Sequence, residues 1–270
     1  MIDVNKLEFK KFPGGELHIT DSWIGGPNNY NPEYPDKVIC RVQESDDFMK
    51  LCLFTDACKR VFGKIPKELI IPYIPYARQD RVPNQGEALS IKVFANLLNS
   101  LNYEKVTVVD PHSDVSTALI ENVNVIPQWQ IFGPYIKNEI DLISPDAGAL
   151  KKIYKLTEDY NSTKKINVRT ATKHRDTQTG WITDTTLDGE PKYKTCIVVD
   201  DICDGGGTFL ALGEKLKTQY DKKILMITHG IFSKGISTML EMYDEIYTTN
   251  SWNPDLKSQD RLNVISVEDI

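Results

Sequence analysis

What most constrains the fold of this chain is a series of short apolar runs, each stopped by Pro, Gly or Asp and separated from the next by a stretch of helical period. The runs are "ELIIPY" (68–73), "KVTVVDP" (105–111), "DLISPDAG" (141–148), "TCIVVDD" (195–201) and "KILMITHG" (223–230). Between them lie "LSIKVFANLLNSL", "ALKKIYKL" and "TFLALGEKLK", whose apolar residues recur at helical spacing. Strands that are almost continuously apolar, rather than alternating, must be buried on both faces, which is the condition of parallel sheets joined by helical crossovers. The expected class is therefore α/β, with mainly parallel sheets flanked by helices. A further helix is predicted over Ser45–Arg60, with Ser45 as its cap, Asp46 and Asp47 at its positive end and Lys59 and Arg60 at the other.

Two rounds of this pattern are separated near "NVIPQWQIFGPYI", which predicts two domains, 1–127 and 128–257, with the tail 258–270 packing back on the first. A long polar segment, Lys173 to Lys194, interrupts the second round. It exceeds ordinary connections and reads as a functional flap, with a β-hairpin expected around Asp188-Gly189.

Composition removes several classes. A net charge of −6 opposes a protein that coats nucleic acid, while leaving room for a local basic pocket. The start of the chain has no apolar core of a signal peptide, and no run reaches the length of a membrane span. Five cysteines form no CxxC pair and the histidines complete no zinc pattern, so reduced thiols in a cytoplasmic protein are expected.

The most informative stretch is "CIVVDDICDGGGTF", Cys196 to Phe209. A buried strand runs into Asp200 and Asp201, then Asp204, Gly205, Gly206, Gly207 and Thr208. Ligands of open α/β sheets collect beyond the carboxyl ends of strands. A helix beginning near Thr208 would aim its N–H groups and dipole at that place, as a phosphate site requires. The paired acids could accept hydrogen bonds from sugar hydroxyls or hold a metal through water. No GxxxxGK[ST] and no GxGxxG occurs in the chain.

"VVDDICDGGGT" resembles the phosphoribosyl pyrophosphate loop of type I phosphoribosyltransferases. "FPGGE" (12–16), "IPYARQDR" (74–81), "VVDPHSD" (108–114) and "SPDAG" (144–148) extend the resemblance, in this order, to the ribose-phosphate pyrophosphokinase family. The resemblance implies two phosphoribosyltransferase-type domains and transfer of the diphosphoryl group of ATP to the C1 hydroxyl of ribose 5-phosphate. It implies Mg2+ held by His112 and Asp146, and ATP met by Phe12, Glu16, Arg78, Gln79, Asp80, Arg81 and His112. It also implies ribose 5-phosphate bound by Asp200, Asp201, Asp204, Gly205, Gly206, Gly207 and Thr208. Lys173 and Arg175, in "ATKHRD" at the base of the flap, match the family's catalytic Lys-x-Arg. Because the "FPGGE" loop serves a neighbouring subunit in that family, a homodimer or higher homo-oligomer is implied, with no nucleic acid or membrane partner.

The chain departs from the family pattern at Gly14, where an acid is usual, at Pro111 before His112, and at Ala149. "FPGGE" begins at residue 12, so the family's opening strand and helix are expected to be missing or cut down. Two alternatives remain at this stage: a type I phosphoribosyltransferase that consumes the diphosphate, and a non-catalytic regulatory homologue.

Overall fold

The structure, a computed structural model, describes residues 1–25, 33–158, 165–175 and 182–270; the side chains of 173–175 and 182–184 fall outside that description. It divides into two units, Met1–Ile126 and Pro127–Ile270.

The first unit contains β1 (Ile2–Asp3), β2 (Phe9–Lys11), β3 (Leu17–Ile19), β4 (Lys37–Ile39), α1 (Ser45–Phe62), β5 (Glu68–Ile71), α2 (Ser90–Asn99), β6 (Lys105–Val109), α3 (Asp114–Leu119) and β7 (Val123–Ile126). Five strands make one sheet in the order β1-β4-β5-β6-β7, every neighbour parallel. β2 and β3 form a separate antiparallel hairpin.

An opening strand is thus present. β1 edges the sheet, and residues 4–6 make a 3-10 turn instead of a helix. Asn5 ties it down by donating to the Arg41 carbonyl at 2.8 Å and accepting the Arg41 backbone N–H at 2.7 Å. The buried Arg41 guanidinium bridges Asp3 at 3.2 Å.

Alternate residues of the strands pack on the helices. Val38, Leu69, Ile71, Val106 and Val108 share a core with Leu51, Phe54 and Cys58 of α1 and Ile91, Phe94 and Leu98 of α2. The intervening Ile39, Ile70 and Val109 are buried as well, so both faces of the sheet are covered. Each such side chain contributes about 2 kcal/mol of burial. α1 starts one residue earlier than the Ser45 cap predicts: Glu44 holds the cap position, and the Asp47 carboxylate accepts the backbone N–H groups of Gln43 and Glu44 at 3.1 and 3.0 Å. The longer reach of Asp47 satisfies donors ahead of the helix that a Ser45 hydroxyl would leave open.

The second unit contains α4 (Gln128–Phe132), β8 (Ile140–Ser144), α5 (Leu150–Glu158), β9 (Ile166–Arg175), β10 (Ile182–Leu187), β11 (Thr195–Cys203), α6 (Gly207–Leu216), β12 (Lys222–Gly230), α7 (Ser237–Met242), β13 (Glu245–Thr249) and β14 (Leu262–Ile265). Its seven-stranded sheet runs β10-β9-β8-β11-β12-β13-β14, parallel throughout except for β10 against β9. Ile143, Val198, Leu225, Ile227 and Ile246 pack with Phe209, Leu212 and Leu216 of α6.

Two expectations are corrected here. The tail belongs to the second unit: β14 extends its sheet by pairing in parallel with β13. The hairpin does not turn at Asp188-Gly189. β10 pairs backwards onto β9, and Asp188-Gly189 lies after it, held by Arg169. Pairing with an existing sheet gives β10 a support that an isolated two-stranded hairpin lacks.

Candidate active site

In the first unit the predicted nucleotide residues sit on three loops. "FPGGE" is the turn of the β2–β3 hairpin, closed by the Phe12 N–H donating to the Glu16 carbonyl at 2.8 Å and by Gly15 at φ +92°. Phe12 and Glu16 are exposed, and Lys10 Nζ stands 4.7 Å from the Phe12 ring. Arg78, Gln79, Asp80 and Arg81 follow β5, in a turn that Tyr76 enters at φ +62° and Ala77 anchors in the core. Arg78, Gln79 and Arg81 are exposed. His112 follows the adjacent strand β6 and is exposed rather than buried; the buried Asp110 before it has φ +37°.

The two sheet-end loops are joined. Ser113 Oγ donates to Asp80 Oδ2 at 2.7 Å, and Arg81 Nε donates to Asp80 Oδ1 at 3.2 Å. The Ser113 hydrogen bond, against a smaller opposing effect of burial, holds the Asp80 carboxyl below its ordinary range.

In the second unit the acids and the glycine turn gather at the carboxyl edge of the parallel strands. β11 is longer than expected: Asp200 and Asp201 lie within it, and the strand ends only at Cys203. Asp200 Oδ1 accepts the Asp201 N–H at 2.9 Å. Asp201 is 7% exposed, and Lys152 Nζ donates to its Oδ2 at 2.8 Å. Asp204 is exposed at the head of the turn. Gly206 is the N-cap of α6 at φ +73°, and a Cβ there would stand 2.5 Å from Met239 Cε. The N-cap residue of α6 is thus a glycine, and the helix begins at Gly207 and Thr208. Helix starts of this kind present backbone donors and a positive dipole end to an anion.

Asp146 lies just beyond β8, the neighbour of β11. Its Oδ1 accepts the N–H groups of Gly148 and Ala149 at 3.0 and 3.1 Å, which fixes the carboxylate ahead of α5. Asp146 therefore fills the capping role ahead of this helix. The backbone of Lys173 and Arg175 occupies the end of β9, the strand on the other side of β8. Two ladder spacings, about 10 Å, separate that strand from β11. The Lys173 and Arg175 side chains lie outside the described residues.

Two residues of this arrangement escaped the sequence reading. Lys152 sits in the first turn of α5, where the helix dipole opposes a cation. That placement is unfavourable without a carboxylate nearby, but nothing in the sequence says which one. Ser113 was legible as the cap of α3, whose Val115 N–H it accepts at 3.1 Å, but its bond to Asp80 was not.

Comparisons with known proteins bear on the family and the fold. The domain described as the N-terminal domain of ribose phosphate pyrophosphokinase matches residues 37–101, and the phosphoribosyl transferase domain matches residues 129–259. The ribose-phosphate pyrophosphokinase of Pyrococcus furiosus is 27% identical over 92% of this chain and 86% of its own length. That of Prochlorococcus marinus is 31% identical over 83% of this chain and 70% of its own length. In fold, the crystal structure of phosphoribosylpyrophosphate synthetase from Mycobacterium smegmatis superposes with a TM-score of 0.77 at 23% identity, covering 97% of this chain and 86% of that one.

Proposed function

Because the chain belongs to the ribose-phosphate pyrophosphokinase family, we propose that it transfers the diphosphoryl group of ATP to the C1 hydroxyl of ribose 5-phosphate, giving 5-phosphoribosyl 1-diphosphate and AMP. The bond that forms joins the C1 oxygen to the β-phosphorus. The bond that breaks links that phosphorus to the oxygen bridging it to the α-phosphorus, and the hydroxyl gives up its proton. The observation that carries the reading is the carboxyl edge of the second sheet, where two acids in β11, a glycine turn and the start of α6 meet.

Asp200 and Asp201 accept hydrogen bonds from the ribose hydroxyls, and residues 204–208 hold the 5-phosphate by backbone N–H groups and the Thr208 hydroxyl. Arg78 and Gln79 meet ATP, the guanidinium suiting phosphate oxygens. Phe12 and Glu16, exposed on their hairpin, serve the adenine of a neighbouring copy, which makes the working unit a homodimer or larger. Lys173 and Arg175 neutralise charge that develops on the transferred group, an effect worth on the order of 100-fold or more per donor.

Magnesium, when bound, offsets the triphosphate's charge. His112 and Asp146 are the residues that would hold it. A fixed carboxylate such as Asp146 is a donor of the right kind, since magnesium takes one or two protein carboxylates and fills its remaining positions with water and phosphate oxygens. The five cysteines are free, which supports a reducing, cytoplasmic setting.

The test supplies purified protein with ATP, magnesium and ribose 5-phosphate and follows AMP. AMP should appear only with all three present. Consumption of added phosphoribosyl diphosphate with a nucleobase, without ribose-dependent AMP, would instead identify a phosphoribosyltransferase.

A further inference from the structure

We propose that Asp80 and Ser113 form a positioning pair that sets the spacing between the Arg78–Gln79 loop and the His112 loop, and that Asp80 is not itself a ligand of ATP. The inference rests on the reading of those loops as the triphosphate site. Arg78 and Gln79 are exposed on the loop after β5, and His112 is exposed on the loop after its parallel neighbour β6. Residues acting on one triphosphate from two loops need a fixed separation, because errors of an ångström in such geometry are costly.

A carboxylate among residues that must attract a polyanion is repulsive unless it is neutralised by neighbours. Asp80 has that form. Its Oδ2 accepts from Ser113 Oγ at 2.7 Å and its Oδ1 from Arg81 Nε at 3.2 Å. The Ser113 hydroxyl uses its donor on Asp80 and accepts the Val115 N–H at 3.1 Å, so one hydroxyl joins the loop of Arg78, the loop of His112 and the start of α3. Backbone bonds reinforce the first loop: Gln79 N–H donates to the Tyr76 carbonyl at 2.8 Å, immediately before Asp80.

The experiment is a double-mutant cycle with Asp80→Ala, Ser113→Ala and the double variant, with Ser113→Thr as the conservative control. KM for ATP, KM for ribose 5-phosphate, kcat and Tm are measured for each. Asp80→Ala leaves the α3 cap intact and separates the clamp from the cap. Each single alanine variant should raise KM for ATP by about tenfold, the double variant no further, and ribose 5-phosphate should stay within about twofold. Ser113→Thr keeps the hydroxyl and should restore KM for ATP. The proposal is overturned if Asp80→Ala leaves KM for ATP unchanged, if the two effects multiply, or if both substrates weaken equally. Should the wild-type protein show no ribose-dependent AMP formation, the reaction assigned above is wrong. Calorimetric titration of ATP into the same variants then decides the clamp by the same pattern in Kd.

Discussion

At the scale of single residues, charge pairing explains how the proposed sugar site is made ready. Lys152 reaches from the first turn of α5 to the buried Asp201, and loss of one member of such a pair strands the other in a poorly solvated place. Lys152→Met should therefore raise KM for ribose 5-phosphate by about tenfold or more with little change in KM for ATP, and Lys152→Arg should recover most of it. Steady-state kinetics with each substrate varied checks this. Equal weakening of both substrates would show a general structural role instead. For Lys173, alanine should lower kcat by about 1,000-fold while ATP binding, read by calorimetry, stays near the wild-type value. The acids and the glycines were legible because they are contiguous in "VVDDICDGGGT", so one strand and one turn suffice to place them. The partners were not. Lys152 and Asp201 are 49 positions apart and Ser113 and Asp80 are 33, and each contact depends on which loops the sheet order brings together.

At the scale of elements, the two ends of the parallel sheets differ: the candidate loops collect at the carboxyl end, while the opposite end holds structural charge. Glu68 opens β5 between β4 and β6, opposite Lys37 and Lys105 in register. Burial pushes its carboxyl up, but hydrogen bonds from Thr107, Lys105 and Lys37 outweigh burial and hold its pKa down at about 2. A carboxylate whose folded pKa is depressed stabilises the fold above its unfolded value and loses that contribution as pH falls through the folded one. Urea midpoints should decline from about pH 4.5 toward pH 2, and Glu68→Gln should flatten that decline while costing about 1–2 kcal/mol at neutral pH. At the other end, Gly206→Ala puts a side chain at φ +73°, with its methyl against Met239. It should cost about 1–2 kcal/mol, lowering Tm by roughly 3–6 °C, and weaken ribose 5-phosphate binding. The strand and helix sequence was legible because apolar runs and helical period alternate so regularly. The start of α1 and the pairing of β10 were not, because a Glu44–Asp47 cap competes with Ser45 locally and β10 takes its partner from a sheet that already exists.

At the scale of the whole molecule, each unit owns a parallel sheet and its own apolar core, and each carries candidate loops at a sheet edge. The division near "NVIPQ" was legible from the restart of the strand–helix pattern, and the two-unit structure divides at Ile126–Pro127. The destination of the tail was not, since a short strand such as Leu262–Ile265 carries no mark of which sheet edge it will join. The central claim is that this chain moves a diphosphoryl group as a unit, and phosphorus NMR of a reaction containing ATP, magnesium and ribose 5-phosphate tests it most directly. The account predicts AMP and a sugar C1-diphosphate ester rising in equal amounts. Formation of ADP with a singly phosphorylated C1, or no new phosphorus signal at all, would contradict it.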